Sequence, residues 1–277
     1  MSASEDPAAN LRKGLRLAAK AARAGAQIVC LPELFRTRYF PQFKSRAGRR
    51  LAETIPGEST RAFSRLAREL GVVVIAPLYE RAPDGRLFNS AAVIGEDGRL
   101  LKPYRKVHVP HDPLFYERSF FAPGDRGFLV YRTPRAAFAV LICFDQWFPE
   151  AARACALQGA EILFYPTAIG QPAGPRPAEG DWRDAWMTMQ RSHAIANSVH
   201  VAAVNRTGRE GRLRFWGSSF VCDAFGNVVS RAPRAREEIL LSTVDLAQNG
   251  RLREGWGFLR GRRPECYKSL LSRGGKR

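Results

Sequence analysis

Cys143 closes the run Ala139-Val140-Leu141-Ile142, a short aliphatic stretch of the kind that forms a buried strand. Pro149 and Glu150 then open an alanine-rich segment with two helix-start signals, an early proline and a carboxylate in the first turn. The thiol therefore falls at the carboxyl end of a strand, shortly before a helix, where open α/β folds bind ligands. A buried structural cysteine fits the same position, because free Cys is among the most buried residue types. Three further ionisable residues lie at strand ends or in loops. Glu33 follows the strand Gln27–Leu31 and a proline, Lys106 lies in Y-R-K-V-H-V-P, and Glu117 follows in F-Y-E-R-S-F-F-A-P-G-D. A thiol nucleophile needs a base for its proton, and a cation or N–H donors for the oxyanion it generates. A Glu, a Lys and a Cys meeting in one pocket supply all of these without histidine.

Four histidines offer the alternative of a Cys–His dyad. His193 and His200 flank a predicted helix and read as structural. His108, two residues from Lys106, is the one kept as a candidate. His111 carries no further signal. There is no glycine-rich phosphate loop, no H-E-x-x-H and no carboxylate–histidine spacing of a metal site, so the expected chemistry needs neither cofactor nor metal.

These residues must be held by a scaffold, and the sequence has an internal echo that suggests one. Residues 25–33 read G-A-Q-I-V-C-L-P-E and residues 159–167 read G-A-E-I-L-F-Y-P-T, each after an alanine-rich helical pattern, Leu11–Ala24 and Pro149–Gln158. A looser third copy pairs a helix around Thr60–Leu70 with the strand G-V-V-V-I-A-P-L. Helix, glycine, buried strand, proline is an α/β rhythm. Ser90–Ile94, Gly127–Tyr131, Ala136–Ile142, Val201–Val204, Ser218–Cys222 and Val228–Ser230 read as further strands, with turns at Asp97-Gly98 and Ala224–Asn227. Gly170–Trp182 reads as a long loop, and the stretch from Asn249 shows no clear rhythm.

The chain has 277 residues, 45% hydrophobic and 25% charged, as expected of a soluble globular protein of one large domain or two. No run approaches a membrane span, and the polar, acidic start is unlike a secretory signal. Cys30, Cys143, Cys155, Cys222 and Cys266 form no C-x-x-C pair, which argues against a disulfide framework or a zinc cluster and for a reducing cytoplasm. The net charge is +18, and the arginines that dominate it are dispersed. Arg260, Arg262 and Arg263, with Lys276 and Arg277, form the densest cluster. Nucleic-acid binders more often concentrate charge on one face, so a nucleic-acid partner is not expected.

L-P-E-L-F, Y-R-K-V-H-V-P and L-I-C-F-D-Q-W-F-P-E-A-A-R together resemble the three signature blocks of the nitrilase, or carbon–nitrogen hydrolase, superfamily. The resemblance continues through L-Q-G-A-E-I-L-F-Y-P-T-A-I-G, R-S-H-A-I-A-N, V-A-A-V-N-R-T-G and F-W-G-S-S-F-V, and so runs from about Asn10 to Tyr267. H-V-P-H-D-P-L-F-Y-E-R-S-F-F-A-P-G-D and C-F-D-Q-W-F-P-E are most similar to the N-carbamoylputrescine amidase branch. The resemblance implies a four-layer α-β-β-α sandwich made of one domain over 1–277, with 249–277 a tail at a subunit interface of a homodimer or larger homo-oligomer. It implies Cys143 as nucleophile, Glu33 as general base, Lys106 with the Phe144 backbone N–H as oxyanion partners, and Glu117 as a supporting pocket glutamate.

Three features depart from the family pattern. The strand that the family places ahead of its first helix does not appear, since the sequence enters a helix almost at once with Asp6 as N-cap and Pro7 at the first position. Either the true start lies upstream or the fold manages without that strand. Phe144 stands where the branch more often has tryptophan, and the loop after Thr207 is short. The expected reaction is hydrolysis of a linear C–N bond, first of all in a small-molecule N-carbamoyl amine. The alternatives are an aliphatic or ω-amidase on the same scaffold, and a non-catalytic scaffold that binds polyanions. A cationic substrate requires local carboxylates, such as Asp112 or Asp145, to offset the global charge.

Overall fold

The computed structural model describes residues 1–174 and 178–272. Helix α1 (Pro7–Arg23) begins as its cap predicts, with Asp6 accepting from the Ala8 N–H at 2.8 Å. Strand β1 (Ile28–Cys30), helix α2 (Glu58–Leu70), and strands β2 (Val73–Arg81), β3 (Leu87–Ile94) and β4 (Tyr104–Arg105) form a sheet in the order β1-β2-β3-β4. β1 and β2 pair in parallel, as the intervening α2 crossover requires.

Strands β5 (Val130–Arg132), β6 (Ala137–Val140), β7 (Ile162–Thr167), β9 (His200–Asn205), β12 (Phe220–Cys222) and β13 (Val228–Arg231) form a second sheet, ordered β13-β12-β9-β7-β6-β5. Helices α3 (Pro149–Leu157) and α4 (Trp182–Asn197) make the parallel crossovers β6-β7 and β7-β9. A third, three-stranded sheet joins β8 (Gly170–Pro172), β10 (Thr207–Glu210) and β11 (Leu213–Trp216).

The layering follows from side-chain alternation. Along β2, Val73 and Ile75 point into a core shared with Phe138, Val140, Ile162 and Phe164, which share one face of the second sheet. Val74, Ala76 and Leu78 point the other way, against Leu11 and Ala18 of α1 and Phe63 and Ala67 of α2. A strand apolar on both faces is what a sheet covered on both sides requires. The four layers are thus α1 and α2, the first sheet, the second sheet, and α3 and α4.

Several sequence expectations change. The segment after Thr207 is a tight antiparallel hairpin, β10-β11, and Gly170–Trp182 contributes β8 before α4 begins. Residues 175–177, like Lys276 and Arg277 of the basic cluster, lie outside the described residues. The stretch after Asp245 folds as helix α5 (Leu246–Trp256), in which Asn249 alone is buried. Among the described residues nothing strand-like precedes α1. On the outer edge of β1 lies a cleft of about 470 Å³, roofed by Leu17, Ala18 and Ala21 and floored by Ile162, Phe164 and Ala202. Ile239–Val244 forms its far wall without being assigned to any strand. No helix among the described residues is long and apolar enough to cross a membrane.

Candidate active site

Parallel strands within each sheet share a polarity, and the contact between Glu33 after β1 and Ala168 after β7 puts the carboxyl ends of both sets on one edge of the sandwich. Glu33 follows β1, Cys143 follows β6, Ala168 follows β7 and Arg206 follows β9. The edge is buried: Glu33 and Glu117 have no exposed surface, and Lys106 is 1% exposed.

The Lys106 ammonium donates to Glu33 Oε1 at 2.9 Å and to Glu117 Oε2 at 2.6 Å. Glu33 Oε1 also accepts from Asn89 Nδ2 at 2.7 Å, and Glu33 Oε2 accepts from the Ala168 N–H at 2.8 Å. Tyr39 Oη donates to Glu117 Oε1 at 2.7 Å. Lys106 itself is held through its backbone, its N–H donating to the Asn89 carbonyl and its carbonyl accepting from Gly124. A Cβ on Gly124 would lie 2.2 Å from the Arg105 carbonyl, so only glycine permits this approach.

Cys143 occupies a strained turn. Its φ is +45°, in the left-handed region that a side chain rarely adopts, and it opens a short 3-10 turn, Cys143–Trp147. The turn is anchored from α4: Trp186 Nε1 and Gln190 Nε2 both donate to Gln146 Oε1, and His193 Nε2 donates to the Gln146 carbonyl. His193 thus serves the turn's backbone from inside α4. His200 starts β9 and pairs with Asn249 at 2.9 Å.

The electrostatics divide the groups sharply. Burial, reinforced by Glu33, pushes the Cys143 thiol well above its ordinary value, with Lys106 opposing. The resting sulfur is therefore a thiol. Burial would lower the Lys106 ammonium, but Glu117 and Glu33 together raise it above the usual lysine range. Burial raises Glu117 to about 7, against the opposing pull of Lys106. Two carboxylates and one ammonium in a dry site leave the second carboxylate short of charge compensation, which explains its elevation.

The structure thus brings Glu33, Lys106, Glu117 and Cys143 together, with Phe144 in the same 3-10 turn as Cys143. It does not support Asp145 as a free acidic group for a cationic substrate. Asp145 is fully buried and accepts from the Ile142 N–H, Tyr104 Oη, and His108 N and Nδ1. Asp112 is exposed and bridges to Phe115.

Four residues that carried no expected role complete the site. Tyr39 and Asn89 touch the carboxylates directly. Arg206 Nη1 donates to both carboxylate oxygens of Glu210, at 2.7 and 2.8 Å, and its Nη2 donates to the carbonyls of Glu33, Leu34 and Thr37. Glu210 in turn accepts from the Tyr39 N–H at 2.7 Å. This buried pair holds the loop that carries both Glu33 and Tyr39. A polar Asn inside the apolar strand L-F-N-S-A-A-V-I is a readable anomaly, and Arg206 falls in V-A-A-V-N-R-T-G, whereas Tyr39 and Glu210 leave no local mark.

The chain belongs to the carbon–nitrogen hydrolase family, whose model matches residues 1–254. Within that family its class is the amidohydrolases with an active-site cysteine. It is 42% identical to an N-carbamoylputrescine amidase of Solanum lycopersicum over 97% of this chain and 91% of the relative. It superposes on a carbon–nitrogen hydrolase from Helicobacter pylori G27 with a TM-score of 0.91 and 40% identity, covering 97% and 94% of the two chains. A mutant amidase from Nesterenkonia sp. AN1, described with an acetamide moiety covalently added at its active-site cysteine, superposes with a TM-score of 0.79 at 26% identity, covering 98% and 94%.

Proposed function

We propose that this chain hydrolyses a linear N-carbamoyl amine through a Cys143 acyl-enzyme, with Glu33 as base and Lys106 as oxyanion partner. The observation that carries this reading is the Lys106 ammonium bridging two buried carboxylates beside a neutral thiol on a strained turn. A neutral thiol cannot attack until its proton leaves, so the base must act in the chemical step itself.

In this reading Cys143 Sγ attacks the ureido carbon as Glu33 takes the thiol proton. The oxygen becomes an oxyanion beside Lys106 Nζ and the Phe144 N–H. The C–N bond to the terminal nitrogen breaks, Glu33 returns the proton to it, and ammonia leaves. The thiocarbamate that remains is attacked by water, whose proton passes to Glu33. The S–C bond breaks, the thiol is re-formed, and the carbamic acid decomposes to carbon dioxide and the amine. Loss of one oxyanion donor of this kind typically costs a factor of about 10²–10³ in rate.

The substrate assignment rests on the similarity to the tomato relative, and the N-carbamoylputrescine assay tests it. Ammonia release from N-carbamoylputrescine should be abolished by Cys143→Ala, and undiminished release would sink the reading. A panel of short aliphatic and ω-amides run beside it decides between carbamoyl amine and amide, the latter favoured by the amidase neighbour. We also take 1–277 as one domain whose part from Asn249 contributes to a homo-oligomer interface. Exposed Trp256, Phe258, Leu270 and Leu271 motivate this. Light scattering before and after truncation beyond Gly257 tests it, and an unchanged number of subunits per particle would refute it.

A further inference from the structure

His108 and Asp145 remain unused by the mechanism, yet Asp145 has an unusual position. It lies in the nucleophile turn, and its carboxylate caps that turn by accepting from the Ile142 N–H at 2.9 Å. The same oxygen, Oδ2, accepts from Tyr104 Oη at 2.7 Å. Oδ1 accepts from the His108 N–H at 2.9 Å and faces His108 Nδ1 at 2.8 Å. Because the carboxylate can only accept there, the Nδ1 proton belongs to His108. Tyr104 and His108 stand two residues on either side of Lys106 in the chain. One fully buried carboxylate thus ties both flanks of the Lys106 segment to the turn that carries Cys143.

The histidine is itself fixed. Its ring lies parallel to Phe148, the next residue after the Cys143–Trp147 turn, with centroids 3.6 Å apart and planes at 6°. The polar contact and the closer of the two stacked ones go to the nucleophile's own segment, while Phe128 stacks more distantly, with centroids 6.2 Å apart.

We infer that Asp145 and His108 are positioning residues that set the placement of the Lys106 ammonium relative to the Cys143 sulfur. This rests on the reading of Cys143 and Lys106 given above. Removing the tie should misplace an oxyanion partner without altering substrate contacts. Errors of about 1 Å in such sites cost up to roughly 10²-fold in rate.

The test is a His108 series on the intact chain, assayed by ammonia release from N-carbamoylputrescine and the amide panel. His108→Ala should lower kcat by about 10–100-fold with KM unchanged. His108→Asn, whose side-chain amide N–H can take the place of Nδ1, should restore most of that loss. Tyr104→Phe, which removes one donor and little volume, should lower kcat by a smaller factor, again without moving KM. The rate of Cys143 alkylation by iodoacetamide, read by mass spectrometry, should fall in the same order and needs no knowledge of the substrate. Variants that melt earlier but keep kcat, KM and alkylation rate would overturn the inference, as would a failure of His108→Asn to restore what alanine loses. Cys143→Ala run alongside separates the two claims. If it retains activity, the nucleophile reading fails; if it is inactive while the His108 series is silent, only the positioning role fails.

Discussion

Lys106 donates its shorter contact, 2.6 Å, to Glu117 and its longer one, 2.9 Å, to Glu33. The carboxylate proposed as base therefore holds the ammonium less closely than its neighbour does. Glu33 divides its oxygens among Lys106, Asn89 and Ala168, whereas Glu117 has Lys106 and Tyr39.

Glu117 makes stability pH-dependent in a direction opposite to that of most carboxylates. In the unfolded chain it titrates near the ordinary value of 4.5, and in the fold at about 7. Between those values the native state keeps a proton that the unfolded state has lost. Its contribution is thus fully present below about pH 4.5 and is lost as pH rises through about 7. Glu117→Gln, which mimics the protonated form, should gain on the wild type in urea-unfolding free energy as pH goes from 5 to 8. Parallel pH curves for the two proteins would exclude the shift.

Lys106→Met removes the cation from between two buried carboxylates. Breaking a buried ion pair by deleting one partner costs about 3–5 kcal/mol. Protonation of Glu117 should soften that loss at low pH, so the variant should destabilise the fold more at pH 8 than at pH 5. Its kcat should fall by about 10²–10³ if Lys106 is the oxyanion partner. Differential scanning calorimetry at both pH values, with single-turnover assays, checks both halves.

Arg206→Met should harm a site that Arg206 never touches chemically. It leaves Glu210 buried and unpaired and frees the carbonyls of Glu33, Leu34 and Thr37, for a loss of about 3–5 kcal/mol. Any soluble variant should also lose activity, because the loop bearing Glu33 and Tyr39 is no longer tied down. Replacing both partners by apolar residues should recover stability but not activity. A double variant with full kcat would refute the bracing role.

Thiol labelling should rank the cysteines against expectation for a reactive nucleophile. Cys266 is exposed, whereas Cys143 is buried with its thiol held protonated. Iodoacetamide at neutral pH should modify Cys266 first, and alkylation of Cys143 should accelerate as pH rises. Peptide mapping by mass spectrometry after timed quenching reads the order.

The legible parts of the fold were the local ones. Asp6 and Pro7 announce α1, Pro149 and Glu150 announce α3, and the helix–glycine–strand echo announces β1 ahead of Glu33 and β7 up to Thr167. Helix α5 escaped because only Asn249 is buried along it, leaving no apolar stripe to read. The β10-β11 hairpin escaped because its short strands are rich in arginine and glycine, which read as loop. Arg206 and Asn89 act on Glu33 across 173 and 56 residues of chain, a reach that spacing does not encode. The cleft beside β1 could not be read from the sequence, because its lining comes from segments as distant as Leu17, Phe164 and Val244.

The two oxygens of Glu33 report to different sheets. Oε1 is bound by Asn89 on β3 of the first sheet, and Oε2 by Ala168, the residue that follows β7 of the second. The side chain works as an alignment gauge across the seam of the sandwich. A small slip of one sheet over the other would detach one oxygen while the hydrophobic layers stayed in contact. Activity should therefore fail before the fold does on gentle heating or in dilute denaturant.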